Sequence, residues 1–133
     1  SLTHIERMIL MFQKEVADRI VAQPRTPGFG RLAVITQWLC ETRPLFSVDR
    51  RAFTPPPKVE SSVIEVFPRP QPLAEAEMHK LEKVTQAAFG QRRKMLRSSL
   101  KQIGLSPADA GIEETKRAEE LTIEEFCALA RML

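Results

Sequence analysis

The sequence predicts an α/β fold that gives way to a purely helical carboxyl-terminal part. Three observations carry this prediction. An apolar run over residues 7–12 passes without a break into helical spacing over 13–22, the strand-to-helix succession of α/β proteins. Two further strand-like segments, 41–48 and 60–67, flank a proline-rich stretch and are expected to pair antiparallel. Beyond residue 72 only helical periodicity is left. At 133 residues the chain has room for one ordinary domain, or one with a small appendage.

Taken in order, residues 7–12 are apolar on both faces, which reads as a strand covered on both sides of a sheet. Val16, Ala17, Ile20 and Val21 then recur at helical spacing. Residues 23–30 hold two prolines and two glycines and form a loop. Leu32, Ile35 and Leu39, with Val34 and Trp38, favour a helix over 31–39, although so apolar a run also suits a strand. Pro44 near the start of 41–48 argues for an edge strand, because proline cannot donate to a ladder. The next stretch, Phe53-Thr54-Pro55-Pro56-Pro57-Lys58, organises the rest. Its prolines fix φ near roughly −65° and remove amide donors, so it is expected to be a stiff, extended loop. Val59, Val63, Ile64, Val66 and Phe67 begin a strand where the prolines stop. A rigid loop with an aromatic at one end and a lysine at the other suits a flat ligand. The plainer alternative is a crossover with Phe53 tucked into the core.

Pro68-Arg69-Pro70-Gln71-Pro72 reads as an extended spacer, which divides the chain into 1–67, a linker at 68–72, and 73–133. After it, Met78, Leu81, Val84, Ala88 and Phe89 form one helical stripe ended by Gly90. A helix over 92–103 places Leu96, Leu100 and Ile103 on one face, with Gly104 as its C-cap. Ser106-Pro107 suits the start of a short helical turn. Thr122 and Glu125 form a capping box before a last helix with Phe126, Leu129, Ala130 and Leu133 inward.

A net charge of +3 is too small to decide anything, so its distribution matters more. Arg92, Arg93, Lys94, Arg97 and Lys101 are cationic with no acid among residues 92–103. Arg93, Arg97 and Lys101 are four apart and would share a helix face, where like charges repel. They would either contact nucleic-acid phosphates or be neutralised by the acid-rich stretch 109–125, read as a neighbouring helix. Gln13-Lys14-Glu15 stands where a strand hands over to its helix, the end of an α/β sheet at which ligands bind; it is otherwise a plain first turn. Arg31 would set a cation beside the 23–30 loop, or be a solvated helix start. His4 and His79 have no partner at ligand spacing, so no metal is expected. Cys40 and Cys127 form no CxxC pair and read as reduced thiols of a cytoplasmic protein. The apolar run at 8–12 is far shorter than the roughly 20 residues of a membrane span. No P-loop, GxGxxG or signal peptide is visible. The chain begins with Ser1 and enters a strand almost at once, as if cut from something longer.

Four motifs occur in order: Phe-Gln-Lys-Glu-Val-Ala at 12–17, Gly-Arg-Leu at 30–32, Phe-Thr-Pro-Pro-Pro-Lys-Val-Glu-Ser-Ser-Val at 53–63, and Gln-Arg-Arg-Lys-Met-Leu-Arg-Ser-Ser-Leu at 91–100. Together they resemble the carboxyl-terminal half of the ribosomal RNA adenine dimethyltransferase family, specifically its small-subunit, kasugamycin-resistance branch. The resemblance implies the end of a class I (Rossmann-like) methyltransferase sheet followed by a small all-helical RNA-binding domain. It implies S-adenosylmethionine as cofactor, and dimethylation at N6 of two adjacent adenosines near the 3′ end of small-subunit RNA in a pre-30S particle. Phe53 would stack on a flipped adenine, Pro55 and Pro57 would shape the pocket wall, and Lys58 would lie near RNA phosphate. The Gln13-Lys14-Glu15 segment would lie beside the active-site mouth, with Lys14 and Arg31 binding RNA, while Arg92, Arg93, Lys94, Arg97 and Lys101 would face RNA, some of them only knitting the two parts together. A base must leave its stack to be modified, which agrees with such a shelf. Phe29 and Trp38-Leu39 depart from the family's tyrosines and put any hydroxyl contact there in doubt.

The family's glycine-rich cofactor loop, acidic ribose-binding residue and Asn-Leu-Pro-Tyr motif are not found in these residues. The expectation is therefore that the chain alone neither binds S-adenosylmethionine nor methylates RNA, and that an uncovered sheet edge promotes self-association. Two other readings stand beside it: a non-catalytic ribosome-binding or assembly module, and a helical protein-interaction domain with internally paired charges.

Overall fold

A computed structural model describes residues 5–133. The chain runs β1 (Met8–Gln13), α1 (Lys14–Val21), α2 (Arg31–Leu39), β2 (Cys40–Val48), β3 (Ser61–Pro68), α3 (Met78–Gly90), α4 (Leu96–Ser99) and α5 (Ile123–Arg131). Short 3-10 turns at Arg50–Ala52, Leu100–Ile103, Pro107–Ala110 and Ala118–Glu120 fill the gaps. The strands form one antiparallel sheet in the order β1-β3-β2, the pairing expected from their patterns. β3 is central because it alone is buried along most of its length, with Met8 opposite Val66 on one side and Thr42 opposite Val66 on the other. Pro44 marks a register shift in β2, so the missing amide falls at an irregularity of an edge strand.

The apolar run of β1 does not mean a strand covered on both faces. Ile9 and Met11 are 53% and 52% exposed, and β1 is an edge among the described residues. Alternation along β3 explains the difference. Ile64 and Val66 pack with Ala17 and Ile20 of α1, whereas Glu65 points to the other face. There its buried carboxylate meets Arg7 at 3.2 Å, just before β1, and Arg43 of β2 at 3.7 Å.

A second, larger apolar cluster joins α2 to everything after the proline stretch. Phe29, Val34 and Trp38 pack with Leu81, Val84, Leu96, Leu100, Leu121, Phe126 and Leu129. The stretch itself is tied to α2, through Arg69 N–H to Leu39 O (2.9 Å) and Leu73 N–H to Trp38 O (2.8 Å). Gly104 ends its turn in the left-handed region at φ +73°, where a side chain is strained. Thr122 and Glu125 cap α5 reciprocally at 3.1 and 2.9 Å.

The single helix expected over 92–103 does not form. Residues 91–94 are a turn, α4 begins only at Leu96, and its tail tightens to 3-10 geometry. The physical reason is competition for backbone donors: Leu96 N–H bonds Lys116 O (2.8 Å) and Arg97 N–H bonds Glu114 O (3.1 Å), so neither is left for a preceding helical turn. The acid-rich stretch 109–125 is likewise no helix; it comprises two 3-10 turns, loops and the first turn of α5. No helix among the described residues is long and apolar enough to cross a membrane, and no cluster of metal-ligating side chains is found among them. His4 lies outside the described residues.

Phe126 is fully buried against Phe89, whose ring centroid lies 5.4 Å away. Phe126→Ala is expected to lower the unfolding free energy by ~3–5 kcal/mol, measured by urea denaturation. Burial pushes the Cys127 thiol up to about 11, Arg131 pulling it down only in part. Because the thiolate is the reactive form, a thiol reagent at pH 8 should label the half-buried Cys40 in the folded protein and Cys127 only after unfolding.

Candidate functional site

The proline loop is held at both ends. At its start, the Asp49 side chain accepts from Arg51 N–H (2.8 Å), and both carboxylate oxygens accept from the Arg51 guanidinium (3.2 and 3.0 Å). These bonds from Arg51 hold the Asp49 carboxyl below the usual carboxylate range. The 3-10 turn so capped releases Phe53 in extended conformation, at φ −106° and ψ 154°. At the far end, Glu60 O accepts from Lys14 N–H (2.9 Å), which brings the loop's exit to the first residue of α1. The Gln13-Lys14-Glu15 junction and the proline loop, separate in sequence, therefore meet. Phe53 is half-buried and belongs to neither apolar cluster, so it is not tucked into the core. Pro57 is half-buried too, while Pro55 and Lys58 are exposed. The Lys14 ammonium pairs with Asp18 (2.9 Å) and Arg19 with Glu15 (2.7 Å), both as exposed i, i+4 pairs of small energetic weight.

The cationic residues of 92–101 divide by environment. Arg93, Lys94, Arg97 and Lys101 are exposed and make no side-chain ion pair or hydrogen bond among the described residues. Arg97 and Lys101 border a shallow cleft of about 460 Å³ that also reaches Glu114. Arg92 instead turns inward. Its Nη2 donates to Pro27 O (3.0 Å) and Phe29 O and lies 3.8 Å from Glu119, while its guanidinium sits over the Phe89 ring at 5.4 Å. A Cβ at Gly30 would stand 3.7 Å from Arg92 Nη1, an ordinary contact, so the approach does not depend on glycine there. Arg31, the first residue of α2, is exposed and without an ion pair among the described residues. The fold sets Arg31 in one cleft with Arg92 and with Arg19, a residue that sequence reading did not single out because only folding brings it there.

Arg92→Ala removes bonds to two loop carbonyls and is expected to cost ~1–3 kcal/mol of stability. Arg93→Ala should stay within about 0.5 kcal/mol of the parent. Thermal unfolding of the two variants checks this contrast.

The description "Ribosomal RNA adenine dimethylase" belongs to a family model that matches residues 1–133. The chain is 63% identical over 131 residues to "Ribosomal RNA small subunit methyltransferase A" of Paramagnetospirillum magneticum, covering 96% of this chain and 47% of that protein. It is 64% identical over 129 residues to the protein of the same name from Rhodospirillum rubrum, covering 95% and 45%. The chain thus spans about half the length of the curated relatives it matches. Among solved structures, a dimethyladenosine transferase from Plasmodium falciparum superposes with a TM-score of 0.79 at 21% identity, over 97% of this chain and 57% of that one, and shows the shared α/β fold. The 23S rRNA methyltransferase ErmE superposes less closely, at 0.63 and 26% identity, over 97% and 55%. The expectation of a carboxyl-terminal half that lacks the cofactor-binding and catalytic Asn-Leu-Pro-Tyr half is contradicted by these matches: the family model runs from residue 1 to residue 133. Four ordered sequence motifs, the antiparallel sheet with its braced proline loop and a family match along the whole length agree, and the chain belongs to the ribosomal RNA adenine dimethylase family.

Proposed function

We propose that this chain serves S-adenosylmethionine-dependent dimethylation of adenine N6 in small-subunit ribosomal RNA, at two adjacent adenosines near the 3′ end, and supplies RNA-gripping surfaces for that reaction. Support comes from the family match over residues 1–133 and from relatives named as small-subunit methyltransferases. The observation that carries the reading is Phe53: a half-buried ring outside both apolar clusters, on a loop pinned at both ends.

In this reading Phe53 takes one face of a flipped adenine, Pro55 and Pro57 wall the pocket, and Lys58 and Lys14 meet neighbouring phosphates. The pinned loop lowers the ordering cost of binding, since its prolines leave few conformers to lose. Arg93, Lys94, Arg97 and Lys101 extend the contact along RNA, and their freedom from internal partners leaves them available for phosphates. Residues 1–67 act as methyltransferase sheet, 68–72 as linker and 73–133 as RNA-binding helices, with α2 shared between the two sides. S-adenosylmethionine supplies the methyl group when bound. Among the described residues, no strand opens on a glycine-rich turn with an acidic side chain facing it: β1 passes directly into α1 at Gln13–Lys14.

The test is binding of a labelled hairpin whose loop carries two adjacent adenosines. Base–aromatic stacking is worth ~1–3 kcal/mol per base, so Phe53→Ala should weaken binding roughly 5- to 150-fold with an unchanged unfolding midpoint. The same variant should lose a comparable factor in any methyl transfer to small-subunit RNA. Unchanged affinity and unchanged methyl transfer would remove Phe53 from the site.

A further inference from the structure

The cleft between the 25–32 segment and α3 has a construction of its own. It has a volume of about 500 Å³ and is lined by Arg19, Gly28, Arg31, Leu32, Phe89 and Arg92 among others, with Glu15 paired to Arg19 and Glu119 beside Arg92. Three arginines therefore line one cleft, from α1, from the start of α2 and from the turn after α3. Arg92 is committed to the loop carbonyls of Pro27 and Phe29 and to Glu119, so its role is to hold the walls together. Arg31 is uncommitted among the described residues. Arg19 has only an exposed pair with Glu15 at 2.7 Å, which a stronger anion would replace at little cost. A planar guanidinium matches the oxygens of a phosphate two at a time, and beside it the apolar flank of Leu32 and Phe89 suits a sugar or base. Within α1, Lys14 stands at the proline loop and Arg19, five residues on and roughly 7.5 Å along the helix axis, stands at this cleft.

We propose that this cleft is a separate phosphate-binding site for the RNA strand that enters the proline loop, with Arg19 and Arg31 as its contacts and Arg92 as a positioning residue. It rests on the RNA-binding reading given above and adds a second anchor across α1 from Phe53. It makes the chain grip a strand at two points, the base at Phe53 and a flanking phosphate here.

The experiment is anisotropy with the adenosine hairpin between 50 and 200 mM salt, for the parent, Arg19→Ala, Arg31→Ala, Arg31→Lys and Arg93→Ala. Each lost phosphate contact should flatten the log–log salt slope by about 0.7–0.9 and weaken low-salt binding about tenfold. Arg31→Lys should keep the slope. Amide NMR with the same RNA should move Gly28, Gly30 and Arg31. A parent that binds without salt dependence overturns the RNA reading and this site together. A parent that binds normally, with Arg19→Ala and Arg31→Ala unchanged in slope and Gly28 and Gly30 unmoved, overturns the cleft alone and leaves Phe53 standing.

Discussion

Two adjacent side chains of α2 bond in opposite directions, and the arrangement of the molecule depends on them. Gln37 donates to Ile20 O (2.9 Å) and Ala22 O (2.7 Å), the end of the helix that covers the sheet. Trp38 donates through Nε1 to Ala74 O (2.7 Å), on the entry to the helical part. Both side chains are buried, and a buried donor without a partner is costly, so each bond is enforced by the desolvation it relieves. The carbonyls that Gln37 caps belong to the last turn of α1, which has no glycine C-cap of its own. One residue thereby ends α1 and anchors α2 beneath it.

This double anchoring explains how surfaces distant in sequence share a frame. α1 rests on Ile64 and Val66 of the central strand, and its first amide receives the exit of the proline loop. α2 buries Val34 and Trp38 in the helical cluster and exposes Arg31 at its start. Arg92 then closes the arrangement from the other side by bonding the loop that joins α1 to α2. Charge follows the same division. Acidic side chains of 113–125 lie beside the turns that carry the basic residues, yet among the described residues only Glu119 pairs with a cation of that stretch, at 3.8 Å from Arg92. The remaining cations face water, where their mutual repulsion is screened within a Debye length of ~10 Å.

Much of the fold was legible because local rules governed it. The three strands, the helices of 14–21, 31–39 and 78–90, the Gly104 cap and the Thr122 capping box all follow from periodicity and terminus chemistry. What local rules missed was decided by donors recruited from far along the chain. The apolar face over Leu96 and Leu100 was read correctly, and both residues are fully buried. The helix was nevertheless cut short, because the carbonyls of Glu114 and Lys116 took the amides that a longer helix needed. The run at 7–12 misled for another reason: apolar residues on both faces need not all be covered, and Ile9 and Met11 are not. Of the residues proposed for the site, the place of Phe53 outside regular structure was legible because three prolines forbid such structure beside it. Arg19 was not, since a lone arginine paired to Glu15 reads as an ordinary solvated turn.

The sequence by itself determined the three strands, the helices over 14–21, 31–39 and 78–90, the extended course of the proline loop, and the family. Those properties depend on residues close together in the chain, where periodicity, fixed proline φ angles and capping act. Only the tertiary structure decided which arginine is a brace and which is free, that Phe53 stands outside the core, and that α2 belongs to both sides of the molecule. These outcomes turn on burial and on long-range hydrogen bonds, whose energies exist only once distant segments have excluded water between them.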